Sequence, residues 1–492
     1  MSLTAVLMRT AEEYKASLRR MRPNVYKFGE LIEDITRHPA TRRSVEGHAQ
    51  VFEAAQKQEY RDILTTTSTL TGERVSRYLS VIASADEMIM NVRMKRLMFN
   101  LTGTCTGGRC VGFNAINSMW AATYDMDQEL GTDYHPRLRK WLVQAQAEDV
   151  ALAGALTDPK GDRSKRPKEQ QDPDMSLRMV GKDADGGIVV RGAKVMIAGA
   201  AESNEVFILP GTGYKEDESD YAIAFAIPRD AQGLTVVEAR HPSDGRDLEP
   251  GFDNPVELGG ITQGYLLFQD VHVPRDRVFM AGEWKHSIKA VLNFIAPYRS
   301  AIGGCVAGQG DVMVGAAALM ARANGLSEKV FRDKIVQMTV NNETTFGMGI
   351  AASVMGRLHP SGVWIPDSKL ANVNKVHVAT LPYETKRLAQ DIAGGIAETG
   401  CLPSSADINS PVYGELLQKY LKAGTDGETR ARIARLIEWL TIGEGVPGCM
   451  HGGGSPDGAK LMINAMADIE ANIRLARRVA NVKGDVPNPA EK

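Results

Sequence analysis

Five cysteines are the residues of this sequence best suited to soft-metal or redox chemistry. Cys105 and Cys110 end the segment Cys105-Thr-Gly-Gly-Arg-Cys110, and Cys305 lies in the glycine-rich run Gly303–Gly310. Thiolates favour soft metals and iron–sulfur centres, which makes Cys105, Cys110 and Cys305 candidate metal ligands. The usual close spacing is C-x2-C, so two ordinary thiols are the alternative for this C-x4-C pair. The remaining cysteines have no spacing partner and are predicted to be structural: Cys401 and Cys449.

A cationic loop, Thr157–Arg166, lies where the helical pattern gives way to strands. Its backbone N–H groups, with Lys160, Arg163 and Ser164, could bind a phosphate-bearing ligand. A solvated charged loop is the alternative. The loop residues that we take as candidate cofactor contacts are Asp158, Lys160, Gly161, Asp162, Arg163 and Ser164.

A glycine run, His451-Gly-Gly-Gly-Ser-Pro456, is predicted to open the final helix. Proline suits the first helical turn, and glycines leave N–H groups exposed at a helix N-terminus, where a pyrophosphate can bind. His451 is a candidate base because its natural pKa is near neutrality, although a structural histidine is the alternative. Gly394 and Gly395 are two further candidates, although they also fit a helix-end turn. The candidate cofactor contacts of this set are Gly394, Gly395, Gly452, Gly453 and Ser455.

Three successive sequence patterns along the chain, helical, then strand-like, then helical, predict the elements that must position these residues. We expect an α+β fold with an N-terminal helical domain over 1–150, a middle antiparallel β-domain over 151–283 and a C-terminal helical bundle over 284–492. Thr10-Ala-Glu-Glu13 is a capping box at a helix start. A hairpin turn is predicted at 183–187. Met462, Met466, Ile469, Ile473, Ala476 and Ala480 step by four and three, which predicts one sustained helical seam.

The composition and the absence of several motifs exclude several classes of protein. The 492 residues carry 58 basic and 60 acidic side chains, so nucleic acid is not an expected partner. We find no apolar run long enough for a membrane span and no signal peptide. An odd number of cysteines favours reduced thiols in a cytoplasm. No Rossmann glycine fingerprint, Walker A sequence, nucleophile elbow or H-E-x-x-H motif is present.

Together these segments resemble the flavoproteins that include 4-hydroxyphenylacetate 3-hydroxylases and 4-hydroxybutyryl-CoA dehydratase (vinylacetyl-CoA isomerase). The likeness is closest to the dehydratase branch in the 158–164 loop, Gly192-Ala-Lys194, the Gly303–Asp311 run and the 451–456 run. It implies an acyl-CoA-dehydrogenase-like fold, a homotetramer, and FAD or reduced flavin bound between the β-domain and the helical bundle.

The resemblance also implies a four-iron–four-sulfur cluster, with two cysteines and a His-x6-Cys pair as ligands. Cys110 and Cys305 fall on two of these positions, and Cys105 matches a third if the loop has gained one residue. Tyr298 replaces the histidine, and Ile302 and Val306 replace the tyrosine and lysine around the last cysteine.

This sequence also departs from the pattern of the hydroxylase branch. Arg109 occupies the position of that branch's arginine near a phenolic substrate, but Phe113 replaces its tyrosine and Gly154 its histidine. His451, Arg109 and Tyr298 are thus the candidate catalytic residues.

Three hypotheses follow. The first is an FAD enzyme of the dehydratase/isomerase branch acting on an acyl-CoA-like substrate, with a 4Fe-4S cluster. The second is a two-component monooxygenase that takes reduced flavin from a partner reductase and hydroxylates an aromatic acid. The third is a family member without catalysis that acts as a binding partner.

Overall fold

The computed structural model describes residues 8–105, 109–241, 244–253, 262–443 and 451–483. Helices build its two ends and strands its middle. The helices, numbered in chain order, are α1 (Ala11–Arg19), α2 (Arg42–Gln56), α3 (Arg61–Leu64), α4 (Ala85–Thr102), α5 (Arg109–Leu130), α6 (Tyr134–Ala147), α7 (Trp284–Ala323), α8 (Arg332–Val354), α9 (Ser368–Val378), α10 (Leu381–Ala393), α11 (Gly395–Glu398), α12 (Ser405–Ile408), α13 (Gly414–Leu421), α14 (Gly427–Glu438), α15 (Pro456–Met466) and α16 (Ile469–Val479).

The strands form two larger sheets and two small hairpins. The strands are β1 (Val25–Lys27), β2 (Glu30–Ile32), β3 (Thr65–Thr67), β4 (Arg74–Ser76), β5 (Leu152–Ala155), β6 (Arg178–Lys182), β7 (Ile188–Ala198), β8 (Glu205–Ile208), β9 (Ile223–Pro228), β10 (Leu234–Glu238), β11 (Gln263–Val273), β12 (Val278–Ala281), β13 (Arg357–Leu358) and β14 (Trp364–Ile365). The sheet orders are β2-β1-β10-β11-β7-β6 and β12-β9-β8-β5. The expected order of helices, β-domain and helical bundle is confirmed.

Local signals in the sequence form as predicted. Thr10 and Glu13 cap α1 reciprocally. The turn at 183–187 joins β6 to β7, with the Asp183 N–H donating to the Gly187 carbonyl at 2.8 Å. Ser455 caps α15, and its hydroxyl accepts from the Gly458 N–H at 3.0 Å.

The sheets depart from the purely antiparallel expectation in two places. β1 pairs in parallel with β10, and β5 pairs in parallel with β8. The N-terminal segment therefore supplies two strands, β1 and β2, to the larger sheet. The division of the chain at residues 150 and 283 stays a prediction.

The single seam predicted after Met462 is wrong. The helix ends at Met466, and a new one starts at Ile469 after Asp468, whose carboxylate accepts from the Ala471 N–H at 2.7 Å. This cap satisfies a helix start where the apolar spacing predicted continuous helix. No residue of α16 is buried.

The long helix α7 is a core helix. Its length and mean hydropathy would allow a membrane span, but 61% of its most apolar stretch is buried inside the protein. Burial of this kind is typical of the central helix of a folded bundle, and α4, α5 and α8 pack against it.

Candidate active site

Glycines on α7 let α4 approach its backbone closely. A Cβ at Gly304 would lie 2.2 Å from the Val92 carbonyl oxygen, and one at Gly308 would lie 2.4 Å from the Arg96 carbonyl oxygen. Neither position tolerates a side chain without separating the helices. The Arg96 guanidinium also forms a two-bond ion pair with Asp311, at 2.8 and 2.9 Å. The glycine-rich run thus fixes Cys305 beside α4.

Cys105 follows the C-terminal end of α4, and Cys110 is the second residue of α5. Gly103 ends α4 in the left-handed conformation, with φ +73°. The Gln309 side chain of α7 donates to the Gly103 carbonyl at 3.0 Å, which ties the end of α4 to α7. The described cysteines are thiols and not disulfides. The fold therefore brings together the three cysteines that the sequence singled out, whereas Cys401 is exposed elsewhere and Cys449 lies outside the described residues.

Lys95 faces these three thiols from α4. Its side chain is 4% exposed, and its Nζ lies 4.5 Å from the centre of the Tyr78 ring. Among the residues that the structure describes, Nζ has no hydrogen-bond acceptor. Burial lowers the pKa of Lys95, but the thiolate charge of Cys110 and of the other two cysteines, with Tyr78, raises it above the ordinary value. Lys95 is thus a buried cation whose electrostatic partners are sulfur atoms.

Tyr298 lies close to the same three cysteines. Burial first, and then the charges of Cys110, Cys305 and Cys105, raise its pKa well above the usual range. Its ring stacks on Phe294 with a centroid separation of 5.6 Å. The phenol therefore stays protonated and is a poor substitute for an imidazole ligand. We call Cys105, Cys110, Cys305, Lys95 and Tyr298 the thiol pocket.

Aliphatic side chains close one side of the thiol pocket. Ile302, Val306 and Val378 are buried in one cluster against Tyr298 and Cys305. Burial raises the pKa of the Cys305 thiol well above its usual range, although Lys95 opposes this effect. Ile302 and Val306, at the two positions where the dehydratase branch has polar groups, are therefore part of a buried apolar surface.

The glycine run after His451 packs onto Tyr298. A Cβ at Gly453 would lie 2.7 Å from Cδ1 of the Tyr298 ring, and Gly453 has φ +69°. The buried Arg299 holds the run through its Nε, which donates to the Gly453 carbonyl at 2.8 Å. Burial lowers the pKa of Arg299 to about 10. The candidate base His451 is exposed, two residues before this contact.

Arg109 is engaged in structural contacts. Its guanidinium pairs with Asp149 at 3.0 Å and lies 4.3 Å above the Phe52 ring and 5.2 Å above the Tyr78 ring. It is 4% exposed. These contacts tie α5 to the end of α6, and a role of Arg109 near substrate stays a prediction.

The other positions compared with the hydroxylase branch also have packing roles. A Cβ at Gly154 would lie 2.6 Å from the Val111 carbonyl carbon, so no larger side chain fits there. Phe113 is fully buried and meets the Tyr78 ring edge to face.

The loop at 158–164 has a buried anchor and an exposed tip. Asp158 is buried and pairs with Lys194 at 2.8 Å, and it accepts from the Tyr214 hydroxyl at 3.1 Å. At the exposed tip, Asp162 accepts from the Ser164 hydroxyl at 2.7 Å, and this bond lowers the pKa of Asp162. Two cations at this tip form no ion pair within the described part of the chain: Lys160 and Arg163.

Gly394 and Gly395 lie apart from these elements. Both are exposed where α10 gives way to α11, and a Cβ at either would meet open space. Their neighbours Ala393 and Ala397 belong to a second core, separate from the one that Tyr298 and Cys110 join.

The thiol pocket is not prearranged around a single ion. Across the described ranges, no three His, Cys, Asp or Glu side chains lie close enough to share one metal. A multi-iron cluster attaches each cysteine to a different iron, so it suits sulfur atoms that surround a larger volume. Three thiols are donors of the type that such a cluster uses, and among the described residues a protonated Tyr298 is a poor fourth donor.

Sequence reasoning missed two residues of this region. Lys95 lies in the apolar series Met88, Val92, Lys95, Phe99, where a lysine signals a buried charge. Arg299, next to Tyr298, gave no sequence signal.

Helices around a mixed β-domain, with a cysteine site against the long core helix, define the class of protein. Models of the N- and C-terminal parts of 4-hydroxyphenylacetate 3-hydroxylase match residues 10–280 and 289–481. The chain belongs to this family.

Relatives from both branches of the family match the chain. The 4-hydroxybutyryl-CoA dehydratase/vinylacetyl-CoA-Delta-isomerase of Clostridium aminobutyricum is 39% identical, over 97% of this chain and 100% of its own length. The oxygenase component of 4-hydroxyphenylacetate 3-monooxygenase from Thermus thermophilus is 28% identical over 89% of each chain. An archaeal 4-hydroxybutyryl-CoA dehydratase from N. maritimus superposes with a TM-score of 0.92 at 38% identity, over 98% of this chain and 97% of that one.

Proposed function

We propose that this protein is an FAD-dependent enzyme of the dehydratase/isomerase branch that acts on an acyl-CoA-like substrate. The observation that carries the proposal is the thiol pocket, in which Cys305 of α7, Cys110 of α5 and Cys105 after α4 meet Lys95 and Tyr298. Three thiols beside a buried cation suit an iron–sulfur cluster, which the resemblance to the dehydratase branch implies.

Cys105, Cys110 and Cys305 are the residues that would hold a 4Fe-4S cluster, and the fourth ligand would be exogenous. The loop cations Lys160 and Arg163, with the glycine run at 452–455, are the residues that would bind flavin phosphates. When bound, the two groups supply Lewis-acidic iron and electron or proton transfer at the flavin N5 atom.

The chain's own side chains contribute water exclusion and charge control. Ile302, Val306 and Val378 keep solvent from one side of the pocket. Tyr298 holds a proton on its phenolic oxygen, because burial and the neighbouring thiols disfavour the phenolate. His451 is the candidate base at the exposed end of the glycine run, a role that stays a prediction.

The test is anaerobic purification followed by an absorption spectrum, assays of iron, sulfide and FAD, and incubation with 4-hydroxybutyryl-CoA and vinylacetyl-CoA. We expect bound FAD, iron and sulfide in equal amounts, and conversion of at least one substrate. FAD without iron would remove the cluster from the proposal. Hydroxylation of phenols with a flavin reductase and oxygen, without turnover of either thioester, would instead establish the monooxygenase hypothesis.

The assembly state is a further part of the proposal. The apolar side chains of α16, including Ile469, Ile473 and Val479, are exposed in a single chain. Burying them against other copies would stabilise the homotetramer that the family resemblance implies. Light scattering on the purified enzyme should give four times the mass of one chain. A cytoplasmic location agrees with the reduced thiols.

A further inference from the structure

We propose that Lys95 is the charge-compensating residue of the thiol pocket: its ammonium stabilises the negative charge that the three sulfur atoms carry, whatever group they hold. The inference rests on the proposed function for the identity of that group. Its physical basis is the position of Lys95 itself.

A buried ammonium must be neutralised by an anion or solvated by several acceptors, because removing it from water is costly. Lys95 is 4% exposed, and its Nζ has no hydrogen-bond acceptor among the described residues. Its Nζ lies 4.5 Å from the centre of the Tyr78 ring, a cation–π contact. A cation–π contact alone is weaker compensation than a carboxylate.

The nearby charges leave the thiols as the anionic partner. Arg109 also lies against the Tyr78 ring, at 5.2 Å, but it is already paired with Asp149 at 3.0 Å. Within the described residues no carboxylate accepts from the Lys95 ammonium, whereas the Lys95 side chain packs at Gly304, the residue before Cys305. The sulfur atoms are therefore the anionic partner that remains.

The backbone holds Lys95 in this position. Its Cβ lies 3.2 Å from where a Cβ at Gly304 would be, next to Cys305. α4 cannot rotate the lysine away without losing the close contact between the Val92 carbonyl and Gly304. The lysine thus approaches the sulfur site through the same helix contact that places Cys305.

Lys95→Met removes the charge and keeps the length and apolar stem of the side chain. Lys95→Arg restores the charge. Arg93→Met is the matched control, because it removes a cation from the exposed side of the same helix. Thermal unfolding of each variant verifies the fold.

The decisive measurement is the ratio of the rates at which metal-free protein reacts with iodoacetate and with iodoacetamide, resolved for each cysteine by mass spectrometry. The two reagents alkylate the same thiolate, so the ratio cancels the thiolate fraction and reports the local electrostatic potential. Lys95→Met should lower the ratio by a factor of about 5 or more at Cys110 and Cys305, because the anionic reagent loses the attraction of a buried ammonium beside these thiols. Lys95→Arg and Arg93→Met should keep it within about twofold.

The second measurement is the reduction potential of reconstituted protein, in which Lys95→Met should shift the cluster to a more negative value. A ratio unchanged by Lys95→Met would overturn the inference, even if iron were present. Absence of iron from every variant, with the ratio still lowered, would remove the cluster from the proposed function and leave the inference standing.

Discussion

The β-domain and the thiol pocket each contain a buried lysine, and the two differ in how the charge is satisfied. Lys194 is 2% exposed and donates to the carbonyls of Leu156 and Leu209, at 3.0 and 2.8 Å, while pairing with Asp158. Lys95 is 4% exposed and has no such acceptors in the described structure. Burial lowers the pKa of Lys194 despite Asp158, whereas the thiols raise that of Lys95.

The difference shows how a structural charge is distinguished from one that awaits a partner. All donors of Lys194 are satisfied within the chain, so it fixes the base of the 158–164 loop. The charge of Lys95 is satisfied only if sulfur atoms, or a group bound to them, are negative. The following predictions test this distinction in order of decreasing effect.

Lys194→Met should lower the free energy of unfolding by about 3–5 kcal/mol, because it leaves the Asp158 carboxylate buried without a cation. Chemical denaturation measures the loss. The double variant Lys194→Met/Asp158→Asn should recover part of it, since the uncompensated charge is gone. A loss below about 1 kcal/mol would show that this pair is not a structural anchor.

Gly304→Ala should destabilise the protein by about 1–3 kcal/mol, because the new methyl group would lie 2.2 Å from the Val92 carbonyl and push α4 away. It should also reduce the iodoacetate preference of Cys305. Gly315→Ala, on the same helix with open space around it, should stabilise by up to about 1 kcal/mol. Equal effects of the two substitutions in urea unfolding would contradict the close-contact account.

A third buried lysine, Lys27, pairs with Glu238 at 3.4 Å and with Asp244 at 3.2 Å. Burial, and then the charge of Glu202, raise the pKa of Glu238 from 4.5 to about 8. The stability from this proton is present below about pH 4.5 and lost as the pH rises to about 8.

Unfolding free energy should therefore fall between pH 5 and 8, with a slope from this group of up to about 1.4 kcal/mol per pH unit. Glu238→Gln should remove this part of the slope. A slope unchanged in Glu238→Gln would show that the carboxyl does not hold its proton in the folded state.

The exposed loop cations should affect cofactor binding alone. Lys160→Ala and Arg163→Ala should each weaken FAD binding about three- to tenfold, because each removes one charge-assisted phosphate contact. Their unfolding midpoints should match the unmodified protein. Lys165→Ala is the control, since its ammonium lies 3.7 Å from Asp162 within the same loop. Equal FAD affinities in all three variants, measured by fluorescence quenching, would show that the loop cations do not bind FAD.

Lys95→Met should change the unfolding free energy least, by less than about 1 kcal/mol in either direction, because no hydrogen bond is lost and the thiols of the metal-free protein can bind protons once the ammonium is gone. Guanidinium titration of metal-free protein measures it. A loss as large as that of Lys194→Met would mean that Lys95 has a structural partner.

Local chemistry in the sequence predicted local structure well. The Thr10 capping box, the 183–187 turn and the helix start at Ser455 depend on residues a few positions apart, and all three formed. The break at Asp468 was missed because apolar spacing was preferred over a capping residue that the sequence also contained.

The pairing of strands far apart in the chain could not be predicted from the sequence. β1 has only three residues, and its partner β10 lies about two hundred positions away, with Val25 opposite Val236. The three cysteines were indicated by residue type and again by family resemblance, but Lys95 was not, because its role depends on the contact between α4 and α7. Arg109 was expected near substrate; its charge is paired with Asp149, and the substrate role stays a prediction.

The central claim is that Cys105, Cys110 and Cys305 act together as ligands. Iron and acid-labile sulfide should be measured in anaerobically purified Cys305→Ser beside Cys401→Ser, whose cysteine is exposed and outside the pocket. Iron and sulfide should be equal in the unmodified protein and in Cys401→Ser, and both should be lost in Cys305→Ser. Iron that is equal in all three proteins, or absent from all three, would contradict it.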